Sequence, residues 1–311
     1  MYKRQGNGLA IVAARSYGAQ DEDLLKKTVA GSLVIGFLSS LCITLAGLVG
    51  LHPLLVLLDT PAEILEEAYS YILIIDVGVL VMFAYNLCAG LLRAIGNSFM
   101  PLVFLLISSG LNVALDLVFI AVVGMGVKGA AVATVISQGV SVVLCIFYVL
   151  RKTRVLVPER KHFQVGRKLY WDLFSQSISM GLMSSIVSAG SVVLQYGING
   201  LGTLVIAGHT AARKMFAFTD MPLIAMANAG STFVSQNYGA NHPDRVRKGM
   251  REIYLYSVVV AVLAVLLMNV GAEWMVKLIS GSSEAVVLEN GAKYLIWNCL
   301  LYTSPSPRDT R

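Results

Sequence analysis

Five long, predominantly apolar blocks constrain this chain most: Val29–Leu51, Ile72–Leu92, Leu102–Val123, Val127–Leu150 and Tyr254–Val270. Each runs about 17–25 residues, the length at which a helix spans the hydrocarbon of a bilayer. In lipid every backbone N–H and C=O needs an internal partner, and a helix supplies it within one segment. The short alternating segments that a membrane barrel requires are absent. Charged residues make up 14% of the 311 and hydrophobic residues 56%, whereas a soluble domain carries roughly a quarter charged residues. With a mean hydropathy of +0.72, the chain cannot cover itself in polar surface, and in a bilayer it has no need to.

The net charge of +6 is distributed by side. Arg15–Lys27, Arg93, Arg151–Lys168 and Arg245–Arg251 hold fifteen Lys and Arg, whereas the segments around Leu51–Glu67, Gly124–Lys128, Gly200–Thr203 and Gly271–Asn290 hold two, Lys128 and Lys277. Lys and Arg mark the cytoplasmic side, which leaves Asp59, Glu63, Glu66 and Glu67 facing outward. Charge placed this way reads as membrane topology, and no nucleic-acid partner is expected. Cys42, Cys88, Cys145 and Cys299 are dispersed, as are His52, His162, His209 and His242. Neither set has disulfide-framework or metal-site spacing, so no metal and no cofactor is expected. Without His-Glu-x-x-His, Gly-x-Ser-x-Gly or paired aspartates in helix centres, no enzyme chemistry is expected either.

The pattern predicts seven complete spans, at about 28–50, 69–92, 101–123, 127–150, 177–199, 204–236 and 253–271. Partial spans are expected at about 6–15 and from about Gly291. Between the halves, residues 151–176 carry seven Lys or Arg interleaved with Phe163, Leu169, Tyr170, Trp171, Leu173 and Phe174. This stretch reads as a cytoplasmic linker ending in an amphipathic interfacial helix.

An internal repeat organises the rest. Tyr17, Gly18 and Ala19 recur as Tyr238, Gly239 and Ala240 at an offset of 221, and Asp23, Lys26 and Lys27 fall on Asp244, Arg247 and Lys248. Leu57 falls on Leu278 and Glu63 on Glu284 at the same offset. Both charged loops face the cytoplasm, so the repeat is parallel, and two such halves usually flank a central binding site. Projected through the offset, the first half is expected to lack about 45–50 residues at its start and the second about 70 at its end, out of about twelve spans, six per half. The ends MYKRQ and Cys299–Arg311 resemble translated adapter sequence. The expected organisation is an artefact at 1–5, an N-terminal lobe lacking its first helix and a half at 6–150, the linker at 151–176, a truncated C-terminal lobe at 177–297 and an artefact tail at 298–311.

Several segments, in order, resemble one family. NLCAGLLRAIGNSFMPL at 86–102 has an Arg-x-x-Gly-Asn-Ser turn leading to Pro101. LNVALDLVFI at 111–120 is similar to a Leu-Asn-x-x-Leu-Asp segment, with Leu117 where the family usually has proline. GVKGAAVATVISQ at 126–138, GSVVLQYGINGLG at 190–202 and AARKMFAFTDMP at 211–222 continue the series. With the Tyr-Gly-Ala turns, these resemble the multidrug and toxic compound extrusion (MATE) family over about residues 6–297. The resemblance implies an all-α polytopic membrane protein of two pseudo-symmetric six-helix bundles with a site between them. It also implies a monomer in the inner (cytoplasmic) membrane that expels small cationic or amphipathic molecules in exchange for H⁺ or Na⁺. A related flippase for lipid-linked sugars is the alternative. That reading favours a cationic cavity, against which Asp76, Asp116 and Asp220 offset Arg213 and Lys214. Some branches carry an acidic residue in the seventh span; Ser177–Asn199 has none, so that coupling-ion site does not carry over.

The candidate pathway residues follow from the cost of a polar group in a span. Asn112 and Asp116 share a helix face, either as a cluster that binds a cation or as a structural network. Asp76 is either a pore carboxylate or an outer residue reaching headgroups. Asp220 either binds a cation or pairs with Arg213, and Pro222 beside it is a candidate hinge. Gln195 and Asn199, four apart, either line a cavity or join helices. The twelve Met and Phe83, Tyr85, Tyr196, Phe216 and Phe218 suit an adaptable cavity or ordinary packing.

Overall fold

The computed structural model describes the backbone of residues 2–57 and 62–301, and every regular element among them is a helix. Asp59 and most of the tail expected at 298–311 lie outside the described residues. The order is α1 (Tyr2–Gly18), α2 (Glu22–Leu57), α3 (Ala62–Val77), α4 (Val79–Ala94), α5 (Phe99–Asp116), α6 (Gly126–Lys152), α7 (Arg167–Asn199), α8 (Thr203–Gly239), α9 (Pro243–Ser280) and α10 (Ala285–Leu301). Among the described residues, five helices are long and apolar enough to cross a membrane, or six if α3 and α4 count as one bent span. Several outrun the expected spans: at about 1.5 Å per residue, a 36-residue helix such as α2 is about 54 Å long. Helix α8 covers the expected span at 204–236 but falls short on apolarity, since His209, Arg213, Lys214 and Asp220 all lie on it.

The chain divides into two compact units, Met1–Ser184 with Tyr238–Asn241, and Ser185–Asn237 with His242–Arg311. In the first, α1 packs along α4, where Ala13, Ala14, Ala89 and Ala94 are all buried. Small side chains let backbones approach in a membrane, where hydrophobicity gives helices no reason to associate. Leu9, Val12, Leu25, Val29, Leu87, Leu92 and Phe104 complete this core. The side chains that face away are apolar too: Phe37, Leu45, Val49, Leu106, Val122, Val143 and Phe147 are exposed, as a lipid-facing surface requires.

Two local signals are realised in detail. The turn after α4 has Gly96 at φ +89°, with the Asn97 amide donating to Leu92 O at 2.9 Å, a glycine-dependent helix stop. Asn97 Oδ1 accepts from the Met100 amide and its Nδ2 donates to Tyr148 Oη at 2.9 Å, while Tyr85 Oη donates to Pro101 O. The repeat turns also match. Gln20 and Asn241, 221 residues apart, both stand at φ 55°. Their amides donate to Tyr17 O and Tyr238 O, and one turn on the Leu25 amide donates to Asp21 O as the Val246 amide does to His242 O.

One expectation is corrected. The span expected at 69–92 begins at Ala62 and is broken, α3 and α4 meeting at Gly78 with a 46° bend. The Val135 side chain of α6 occupies the space where a Cβ on Gly78 would stand, so the break is packed by its neighbour. The helix expected at the end of the linker is continuous with the next span, α7 running unbroken from Arg167 to Asn199. Its first turns belong to the first unit, with Leu173 fully buried against Gly31 and Gly8 lying on Gln176 O.

The linker is fastened by two short 3-10 turns, Arg154–Leu156 and Arg160–Phe163. Leu156 is buried in the core. His162, 2% exposed, accepts at Nδ1 from the Glu159 amide at 2.9 Å and presents Nε2 to Asp23 Oδ1 at 3.3 Å. A hydrogen bond from Lys161 holds the Glu159 carboxyl below the usual carboxylate range.

The second unit has its own core. Ala264, Met268, Ala272 and Val276 form a stripe on α9 at helical spacing, packed with Ala211 and Ala212 of α8 and Val287, Ala292 and Leu295 of α10. Gly208 of α8 lies against Val287 O and the Gly291 amide of α10, a close approach that any side chain would block. Helix α9 ends on Gly281 at φ 66°.

Candidate functional site

The polar residues of α5 and α6 face each other along one seam. Phe104, Ser108, Asn112 and Asp116 recur every four residues on α5, the spacing that keeps side chains on one helical face. Thr134, Ser137 and Ser141 answer them from α6. Ser141 Oγ donates to Phe104 O at 3.1 Å and Ser108 Oγ to Ser137 O at 2.9 Å, both buried. Further along, Asn112 Nδ2 reaches Thr134 Oγ1 at 3.5 Å, and Thr134 Oγ1 donates to Ala130 O at 2.9 Å. The seam ends at Asp116, whose Oδ1 is buried without a hydrogen-bond partner among the described residues.

Asp116 is also where the helix changes form. The backbone continues as a π-helix over Leu117–Val122, with the Val123 amide donating to Val118 O at 2.9 Å. Leu117 stands where the resemblance has proline. A π-turn alters the local backbone without one, and such bulges are frequent at functional sites.

Asp76 occupies a second polar position in the same unit. It is the penultimate residue of α3, two before the Gly78 break. Its main-chain O accepts from Thr44 Oγ1 of α2 at 3.0 Å, its carboxylate lies on Gly47, and its Oδ2 is buried without a partner among the described residues.

The other candidates belong to the second unit. Asp220 lies on a small cleft between α8 and α9 with Phe216, Thr219, Leu223, Ala261, Ala264, Val265 and Met268. Pro222 sits inside α8, which is unbroken there. Arg213 is half-buried and Lys214 exposed, and Gln195 is half-buried in α7. The side chain of Asn199 lies outside those described. Of the aromatic candidates, Phe83 and Tyr85 are core residues, while Tyr196 and Phe218 are exposed. The structure thus joins Asn112 to Asp116 along one seam and sets Asp76 against α2. It adds Thr44, Gly47 and Thr134, of which Thr134 was visible inside the GVKGAAVATVISQ segment.

The sequence model of the MatE family matches residues 5–118 and 180–306, well over half of the chain. The chain belongs to the MatE family. This MatE chain is 28% identical over 253 residues to the probable multidrug resistance protein YpnP of Bacillus subtilis (strain 168), covering 80% of this chain and 55% of that protein. It is 23% identical over 305 residues to the probable multidrug resistance protein YoeA of the same organism, covering 96% and 66%. The multidrug export protein MepA of Staphylococcus saprophyticus is 22% identical over 269 residues, covering 86% and 59%.

Among solved structures, MATE in the bent conformation superposes with a TM-score of 0.81 at 21% identity, covering 96% of this chain and 67% of that one. An outward-facing multidrug resistance MATE family transporter of the MOP superfamily gives 0.80 at 22%, covering 95% and 66%. The chain spans about half to two thirds of the length of these curated relatives. It is a polytopic, all-α, multi-pass membrane protein of a transporter family.

Proposed function

We propose that this MatE protein is a secondary active transporter that exports small cationic or amphipathic molecules across the cytoplasmic membrane, as a monomer, in exchange for H⁺ or Na⁺. The observation that carries this reading is the seam ending at Asp116: a buried carboxylate oxygen without a partner among the described residues, on an apolar helix, one turn from Asn112. A carboxylate is costly to keep charged in a membrane interior. It is neutralised by a proton, by a sodium ion or by a cationic substrate, and one occupant excludes the others. If each occupant favours a different facing state, exclusion couples the two fluxes. Asn112 and Thr134 supply neutral oxygens for a cation in the same seam. The names of the relatives, resistance and export proteins, support the direction of transport. Asp76, Asp116 and Asp220, set against Arg213 and Lys214, weigh against a pyrophosphate-binding flippase.

The test is Asp116→Asn in the full-length gene product. Efflux of a fluorescent organic cation is expected to be lost while the protein still inserts. Efflux at the parent rate would remove Asp116 from the mechanism.

A further inference from the structure

The segment that joins α6 to α7 is held in one shape and displays unpaired charge. Residues 151–168 contain seven Lys and Arg and one acid, Glu159. Leu156 is buried in the core of the first unit, and His162, equally buried, meets Asp23 of α2, so the segment is pinned at two points. The acids of this region already have partners. Glu159 takes Lys161 at 3.2 Å, Asp172 takes Arg15 at 3.0 Å, and Glu22 and Asp23 take Lys26 and Lys27 one turn on along α2. That leaves Arg151, Lys152, Arg154, Arg160, Arg167 and Lys168, which are all exposed and form no ion pair among the described residues. Like charges on so short a stretch repel one another, and a pinned segment cannot disperse them.

Apolar rings flank the charge on both sides. On α7, Arg167, Trp171, Phe174 and Ile178 are exposed at spacings of four, three and four, one helical stripe that runs from cationic to aromatic to aliphatic. The Trp171 and Phe174 rings lie 6.0 Å apart, centroid to centroid. On α6 the same order runs the other way: Val143 and Phe147 are exposed, and the Arg151 guanidinium lies 5.2 Å from the centre of the Phe147 ring. Such a stripe belongs at the boundary of headgroups and hydrocarbon, with tryptophan at headgroup level and the basic heads reaching past it.

We propose that these six cations and their aromatic flanks form a binding surface for the headgroups of anionic phospholipids, in the leaflet that the basic segments place on the cytoplasmic side. Clusters of about 4–8 Lys and Arg directly beside a membrane span attract such lipids. Keeping a loop in the cytoplasm needs only its charge count. A pinned segment, with its acids already matched and rings at the boundary, adds a place where a lipid phosphate stays. A zwitterionic headgroup brings its own cation and gains no such preference. The surface lies wholly in the first unit, and lipid binding there is independent of what the protein exports.

The experiment reconstitutes the full-length gene product in bilayers of phosphatidylcholine and phosphatidylglycerol, with Trp171 as its single tryptophan and the others replaced by phenylalanine. One lipid at a time carries bromine on its acyl chains, which quenches a tryptophan in contact with it. Quenching at Trp171 is expected to show phosphatidylglycerol preferred over phosphatidylcholine by about fivefold or more, the scale of one Lys or Arg near an anionic surface. Equal quenching by the two lipids overturns the proposal. Because the cations are exposed, the preference should fall towards one at molar salt, and a preference unmoved by salt also overturns it. Arg151→Gln/Arg154→Gln and Arg167→Gln/Lys168→Gln should each lower it. Inserted protein that carries both pairs of changes and keeps the parent's preference overturns the assignment; if those variants fail to insert, the salt titration of the parent decides. With Trp274 of α9 as the single tryptophan instead, no such preference is expected, and an equal one there would overturn a localised surface. Millimolar glycerol phosphate at matched ionic strength should leave the quenching unchanged. Release of the lipid by it would make a soluble phosphate the occupant and overturn the lipid.

Discussion

The carboxylate of Asp76 on α3 lies against the bare Cα of Gly47 on α2, so closely that a methyl group on residue 47 would overlap Oδ2. The same two helices are joined by Thr44 Oγ1 donating to Asp76 O at 3.0 Å. Gly47→Val must therefore push the carboxylate aside or part the helices, and overpacking of this kind costs about 1–3 kcal/mol. A lower melting temperature of the purified protein is expected, with Gly47→Ala intermediate. Removing the obstacle with Gly47→Val/Asp76→Gly should recover stability, and failure to recover would show that residue 47 acts elsewhere.

The Asn112–Thr134 contact separates two roles. At 3.5 Å it is a weak bond, and Thr134 keeps its own partner, Ala130 O. A net hydrogen bond contributes about 0.5–1.5 kcal/mol, so Asn112→Leu should change stability by no more than that. If the amide helps to hold the coupling ion, efflux falls steeply in the same variant. Efflux at the parent rate would assign Asn112 to helix joining.

The linker clasp is testable by proteolysis. His162 accepts from the Glu159 amide through Nδ1. The substitution His162→Asn puts a side-chain carbonyl oxygen in place of that acceptor and keeps the bond possible. His162→Phe removes the acceptor and leaves a part-buried amide short of its partner, a loss on the scale of one net hydrogen bond, about 0.5–1.5 kcal/mol. Trypsin should cut at Arg160 and Lys161 faster in His162→Phe than in His162→Asn, and equal rates would contradict the clasp. The neighbouring Glu159 carboxyl is lowered by Lys161. Its small contribution is therefore present above the ordinary carboxylate pKa and is lost as pH falls through the lowered value.

In the second unit, Gly208 lies on Val287 O and the Gly291 amide. Gly208→Val should separate α8 from α10 and lower the melting temperature by several degrees, the scale of about 1–3 kcal/mol. An unchanged melting temperature would contradict the packing of this unit.

The helical, membrane-spanning class was legible because lipid leaves a spanning backbone few choices, and the block lengths state which one this chain takes. The repeat offset was equally legible, and Gln20 and Asn241 share their αL backbone at that spacing. Asn112 and Asp116 stood out as polar residues four apart in an apolar run. Thr44 and Gly47 did not, because their significance is a contact with Asp76 across two helices, and a glycine or threonine in a span has many uses. The break at Gly78 was hidden for a related reason: a glycine in a helical pattern is tolerated, and only the packed Val135 shows what its missing Cβ makes room for. The π-helix after Asp116 carried no proline to announce it.

The most direct test of the account is efflux by the full-length gene product in a pump-deficient bacterium loaded with a fluorescent organic cation, with a proton gradient and a sodium gradient imposed in turn. The account predicts efflux driven by one of the two gradients, which names the coupling ion, and its loss in Asp116→Asn. Well-inserted protein that moves no cation under either gradient would contradict it.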